Sequence, residues 1–541
     1  MQKSSSSKLY QLLLTLAIAV NFSGLFMSII GPDGTLYASV AKTMVIWNNY
    51  LELFGNGTDW LDKPHFPFWV TALFFKVFGI NDWSYKLPAI IFLLAGAYYT
   101  WLFAKKFYND TIASWSVLIL LTAQHIILSN TDVRAEPYLT ALIIGSVYHY
   151  YRAWSEKKFI QLLAGSLLAG CAVMTKGIFA LVPIMAALGI HLIGTGQWKE
   201  IFNVRWLIAA VLVFVFITPE LYALYYQFDL HPEKIVFGRT NVSGLKFFFW
   251  DSQFGRFFNT GPIKGKGDPS FFLHTTLWAF LPWSILLYIA VTDRIRKRKE
   301  KTINEWYCIG AGLVTFLMFS LSRFQLPHYL NIVFPFFAII TAFYIYHAVK
   351  IKHIRIIQYG LVVLLILAAT GLHLLFQPGI TNLPLIIVMA VVLLLLIFLP
   401  KFFPVTEKEI IIGRSVLVAV LINLYLNGFF YPRLLTYQGG TQAARYANEK
   451  YPGLPVIQLR ERYSYPLEFH LNAPLITINS LSDTSGIPKP SLLVLHSDDD
   501  TLGAMPAQSF DLFPISKINK KFIAPSTRST QLKQFNMYVI R

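Results

Sequence analysis

Leu61-Asp62-Lys63-Pro64-His65-Phe66-Pro67-Phe68-Trp69 sets a carboxylate, a lysine and a proline at the foot of an apolar run. The run from Phe66 to Phe78 is too short to cross a bilayer, which needs about 20 residues. Upstream, Leu36, Val40, Met44, Trp47, Leu51 and Phe54 recur at spacings of three and four, the period of an amphipathic helix over Thr35 to Phe54. Beside a membrane span, such a helix is expected to lie flat with its apolar face in lipid. Asp33, after Gly31-Pro32, opens this stretch and Asp62-Lys63 closes it. Two surface-lying helices around a polar turn are more than a connection between two spans requires.

Outward from that loop the chain is a polytopic helical membrane protein. Of its 541 residues 55% are hydrophobic and 14% charged, and long apolar runs follow one another from Tyr10 to Tyr431. Spans are expected at 10–30, 87–104, 112–129, 137–154, 159–174, 178–194, 206–225, 271–292, 306–321, 329–347, 355–376, 383–399 and 409–431, about 13 in all. The first is too long for a signal-peptide core and is read as retained. The formal charge of +18 does not point to nucleic acid. Lys105-Lys106, Lys157-Lys158, Lys199, Arg294 to Lys301, Lys350, Lys352 and Lys401 fall in alternate short connections, as the positive-inside rule requires. That places the N-terminus in the cytoplasm and loops 31–86 and 226–270 on the opposite face of a bacterial-type inner (plasma) membrane. Residues 1–431 form the transmembrane domain. The tail, 432–541, reads as a small extracytoplasmic α/β domain: a helix over Gly439 to Tyr451, then strands at Pro455 to Leu459, Leu475 to Ile478, Ser491 to His496 and Phe535 to Ile540. Cys171 and Cys308 lie in different apolar runs and indicate no disulfide.

Polar residues at or beside membrane depth are costly and are usually paired or functional. Here they gather on one face: Asp33, Asp62-Lys63, Asp132, Arg134, Glu136, Lys176, Arg256, Arg323 and His328. Each has a plain alternative. Lys176 at a span end is placed to snorkel, Arg134 between two acids to form a local ion pair, and His65 and His328 to sit at the interface as ordinary histidines. Asp33 is harder to set aside, because a turn, a helix and the lysine motif converge on it.

Gly-Pro-Asp-x-x-x-Tyr-Ala at 31–38, Asp-Lys-Pro at 62–64, Glu-Pro-x-Leu-Thr at 136–140, Thr-Lys-Gly at 175–177 and Arg-Phe-x-Leu-Pro-x-Tyr at 323–329 resemble the signatures of GT-C glycosyltransferases. The branch they resemble is that of the bacterial aminoarabinose (lipid A) transferases and protein O-mannosyltransferases. The resemblance implies transfer of a sugar from a polyprenyl phosphate carrier to a glycolipid, glycan or protein acceptor on the extracytoplasmic side. It assigns Asp33 and Glu136 as the catalytic acids and Lys63 to the carrier phosphate, with Lys176, Arg256 and Arg323 assisting. Tyr37, Asp62, Asp132 and Tyr329 then face substrate. Three features depart from the pattern. The family's Lys-Pro-Pro-Leu reads Lys63-Pro64-His65-Phe66, the acid before the lysine is Asp62 rather than Glu, and a metal-binding histidine of relatives falls on Gln253. The acids leave one cofactor open, a divalent metal ion held by Asp33 and Glu136.

The chemistry fits these residue types. A phosphate leaves readily without a general acid, but its developing charge needs cations. An acceptor hydroxyl needs a base, which one carboxylate supplies in a single inverting displacement. The rival reading is a transporter or flippase for an isoprenoid-linked glycan. It predicts ionisable groups near the bilayer midplane and repeat symmetry, neither of which the sequence displays.

Overall fold

The structure is a computed structural model describing residues 2–297, 305–380, 382–482 and 487–541. The end of the basic connection Arg294 to Lys301 therefore lies outside the described residues. Among these, six helices are long and apolar enough to cross a membrane: Asp82–Phe107, Phe159–Lys176, Pro327–His347, Ile351–Phe376, Leu383–Phe402 and Glu407–Leu435. A seventh candidate is the pair Val204–Phe216 and Thr218–Asp229, bent by 44°. Several expected spans are shorter or interrupted. Residues 112–129 divide into Asp110–Thr122 and Gln124–Leu128, and 271–292 into Phe271–Ala279 and Ser284–Arg296. Proline accounts for two of the breaks, since Pro219 and Pro282 cannot donate to the helix ladder.

The loop around the opening motif departs from expectation in two ways. The first helix, Gln2–Phe22, stops well before Ile30. The chain from Gly24 to Ser28 then wraps the buried ammonium of Lys86, which donates to the carbonyls of Gly24 (3.0 Å) and Met27 (2.6 Å). The next helix spans Gly31–Ile46 rather than reaching Phe54. Asn48 adopts a left-handed φ of 50°, and the Asn49 side chain accepts from the amides of Leu51 and Glu52, an Asx-type turn that ends the helix. A two-residue hairpin follows, β1 (Phe54–Gly55) against β2 (Thr58–Asp59). The helix Phe66–Phe78 forms as expected, with Pro67 in its first turn and Gly79 closing it. Val40 and Met44, the apolar face assigned to lipid, are buried in protein. Gly31–Ile46 packs between Phe66–Phe78 and the helix Tyr465–His470 of the tail.

The tail carries a five-stranded mixed sheet in the order β4-β3-β5-β7-β6. Its strands are β3 (Val456–Leu459), β4 (Leu475–Ile478), β5 (Ser491–His496), β6 (Gln508–Leu512) and β7 (Lys533–Ile540). Strand β3 pairs parallel with β4 and β5, and β7 runs antiparallel to β5 and β6. Helix Gly439–Lys450 covers one face, laying Ala443, Ala444 and Ala447 on Val456, Leu492, Val494, Phe535 and Met537. The tail is fastened to the helical part by Lys42. Its ammonium reaches the free carbonyls at the end of Tyr465–His470, donating to Glu468 (2.8 Å), Phe469 (3.0 Å) and Leu471 (2.6 Å). Burial draws the Lys42 pKa down to about 8.

Candidate functional site

Asp62, Lys63, Lys176 and Arg256, separated by up to 194 positions, line one cleft beside the loop Leu61–Pro64. Asp62 is the hub of the first group. Its carboxylate accepts from Lys63 Nζ at 2.6 Å through one oxygen and from the Arg256 guanidinium through the other. Burial works against ionisation of Asp62, but Lys63 and Arg256 outweigh it and hold the carboxyl at about 2. Burial likewise lowers Lys63 to about 8, with Asp62 opposing and Arg256 reinforcing the fall. The three charges sum to +1, and Arg256 Nε is buried without a partner among the described residues.

The second group is Lys176 with Glu136. Glu136 opens the helix Glu136–Glu156 and is only 2% exposed. One of its oxygens takes the Lys176 ammonium, with His328 Nε2 3.8 Å away, and the other has no partner among the described residues. Lys176 also lies 3.7 Å from the centre of the Tyr329 ring. Gly177 makes this placement possible. It turns with a φ of +96°, and a Cβ there would stand 2.2 Å from Gln253 Nε2. Gln253 in turn donates to the Lys176 carbonyl (3.0 Å) and accepts from the Phe179 amide (3.3 Å). The residue in the place of the expected histidine thus latches the lysine turn.

The third group is Arg134, which bridges Asp33 (2.7 Å) and Asp132 (3.1 Å) and carries a net charge of −1 with them. Asp33 stands in the first turn of Gly31–Ile46, where the helix dipole favours a carboxylate. Burial raises the Asp132 carboxyl despite Arg134, and its Oδ1 has no partner among the described residues.

Two clefts flank the Lys176–Glu136 pair. One holds Asp62, Lys63, Lys176 and Arg256, and its walls are largely apolar: Phe179, Leu224, Phe247, Phe248, Phe319 and Ile332. Tyr329 lines it as well. The other is bounded by Asp132, Arg134, Glu136, His125, His328 and Trp278. Tyr37 lines neither cleft but a separate recess with Lys63 and Arg134, edge-on to Trp60 and Phe68. Arg323 does not join them. Its side chain is exposed, and its backbone amide donates to Phe257 at 3.0 Å. Side-chain cations engage both acids of the expected metal site, Arg134 on Asp33 and Lys176 on Glu136. Among the described residues no group of three His, Cys, Asp or Glu side chains is disposed to hold an ion.

The chain resembles the GT-C glycosyltransferases. Residues 62–222 match the family described as dolichyl-phosphate-mannose-protein mannosyltransferase. An uncharacterized protein of Aquifex aeolicus is 24% identical over 94% of this chain and 95% of its own length. The undecaprenyl phosphate-alpha-4-amino-4-deoxy-L-arabinose arabinosyl transferase of Enterobacter sp. (strain 638) is 24% identical over 59% of this chain. That match spans 55% of the transferase, about half of its length. The crystal structure of ArnT from Cupriavidus metallidurans bound to undecaprenyl phosphate superposes with a TM-score of 0.71 at 18% identity, covering 90% of this chain and 93% of that one.

Sequence reasoning missed Glu220. It is fully buried against His65, in the bent span, and lines the apolar cleft. A lone acid after Thr218-Pro219 inside an apolar run was the available signal.

Proposed function

We propose that this protein is a membrane glycosyltransferase that moves a sugar from a polyprenyl phosphate carrier to an acceptor in one inverting displacement. The observation that carries this is the division of charge between the clefts. The apolar cleft ends in a group of net charge +1 with an unpartnered N–H, a setting for a lipid-linked phosphate. The neighbouring cleft presents two unpartnered carboxylate oxygens, of Asp132 and Glu136, which call for hydrogen-bond donors such as sugar hydroxyls. Lys63, Lys176 and Arg256 neutralise the leaving phosphate. Asp33 takes the proton of an acceptor hydroxyl once it parts from Arg134, and Glu136 orients the reacting sugar beside Lys176. The scissile bond then lies near the Lys176–Glu136 pair.

The named relatives transfer a sugar from undecaprenyl phosphate, which supports a transferase over a transporter. The acceptor in this reading is a lipid A-type glycolipid rather than another glycan or a protein. The reaction face is extracytoplasmic in an inner membrane, with the N-terminus inside and the tail 432–541 outside, as the alternation of basic connections implies. Adding a radiolabelled polyprenyl phosphosugar to membranes containing the protein, then separating lipid and protein fractions, tests the reading. Label in the glycolipid fraction is expected. Label in neither fraction, with donor intact, overturns it.

A further inference from the structure

Position 65 is where this chain departs from the Lys-Pro-Pro pattern, and the replacement makes contacts that proline cannot. The His65 amide donates to Glu220 Oε2 at 2.9 Å. Its ring Nδ1 stands 3.1 Å from Glu220 Oε1, and Nε2 stands 3.1 Å from the Leu51 carbonyl. Both residues are fully buried. A carbonyl only accepts, so Nε2 carries hydrogen, and the Nδ1–Oε1 contact needs a proton of its own. The pair therefore holds one proton more than a neutral imidazole and a carboxylate, and is neutral as a unit.

Glu220 lines the same cleft as Lys63, Lys176 and Arg256. A bare carboxylate there would oppose any phosphate entering. We propose that His65 is an electrostatic mask and positioning residue: it neutralises Glu220 in the wall of the carrier cleft and ties the Lys63 turn to the bent span. This rests on the reading of that cleft as a polyprenyl phosphate site. His65 touches neither substrate nor reacting atoms; it acts through Glu220 and through the backbone two residues after Lys63. Without the mask, a buried negative charge in the wall of that cleft weakens phosphate binding on the order of tenfold or more.

The test is equilibrium binding of undecaprenyl phosphate to the purified full-length protein, with monodispersity and thermal unfolding measured alongside. His65→Gln should raise Kd on the order of tenfold. Glu220→Gln removes the charge while keeping an acceptor for the His65 amide, and should bind at least as tightly as wild type. The double variant should recover the affinity lost in His65→Gln. Wild-type affinity in His65→Gln, or a double variant as weak as that single one, would overturn the mask. If His65→Gln does not fold, Glu220→Gln decides alone: tenfold weaker binding there would make the carboxylate a needed ligand. A wild-type protein that does not bind undecaprenyl phosphate would overturn the cleft assignment, and the mask with it.

Discussion

At the scale of single residues, Asp33 and Lys63 carry the sharpest consequences. Asp33→Asn keeps size while removing charge and basicity. On a verified donor and acceptor, turnover is expected to fall by about 10²–10⁴-fold with carrier binding retained. Wild-type turnover would reduce Asp33 to a helix-start residue paired with Arg134. Lys63 makes a prediction with a direction in pH. Burial lowers it to about 8, and only its protonated form neutralises a phosphate. Carrier affinity should therefore be full below that value and weaken as pH rises through it. Lys63→Arg, charged at every working pH, should flatten the profile. Binding titrations of undecaprenyl phosphate on either side of about pH 8 check both statements. The acids and bases of the site stand in the sequence as short motifs, but their partners do not. Glu136 and Lys176 are 40 positions apart, and Asp62 and Arg256 are 194 apart, so no local pattern announces that they pair.

Among the elements, the lysine turn after Phe159–Lys176 depends on one glycine. Gly177→Ala combines a left-handed φ with a collision against Gln253, and is expected to cost about 1–3 kcal/mol and to weaken carrier binding by displacing Lys176. Gly189→Ala, where a Cβ meets nothing within 4 Å, is the control that should not lower the unfolding temperature. Elements bounded by strong local signals were legible from sequence. Phe66–Phe78 lies between Pro67 and Gly79, and β4 and β5 match their expected limits. The helix carrying Asp33 was read too long, because Trp47, Leu51 and Phe54 prolong the apolar period past an Asn48-Asn49 turn that periodicity does not register. Strand β6 was missed because Gln508-Ser509-Phe510-Asp511-Leu512 has little apolar character, and its pairing with β7 alone makes it a strand.

For the whole molecule, the alternation of basic connections predicts which face each segment meets. In a background without Cys171 and Cys308, a cysteine at Thr58 or Met505 should react with an impermeant thiol reagent from the extracytoplasmic side, and one at Lys199 should not. Labelling of the Lys199 position from that side would reverse the topology and move the site to the cytoplasm. The arrangement of the tail was foreseeable as a small α/β unit, but its fastening was not. Lys42 sits in the middle of an apolar period, and nothing near it in sequence shows that its partners are the last carbonyls of Tyr465–His470.

That fastening has a consequence for biosynthesis. The ribosome adds Lys42 426 positions before Glu468, the first of its acceptors, so throughout nearly the whole of synthesis the ammonium has no destination within the chain. The helix bearing Asp33 gains these three hydrogen bonds only when the tail arrives. A chain that ends before Glu468 would lack the three carbonyls that hold Lys42 on the helix bearing Asp33, and is expected to transfer less label than the full chain in the radiolabelled-donor assay.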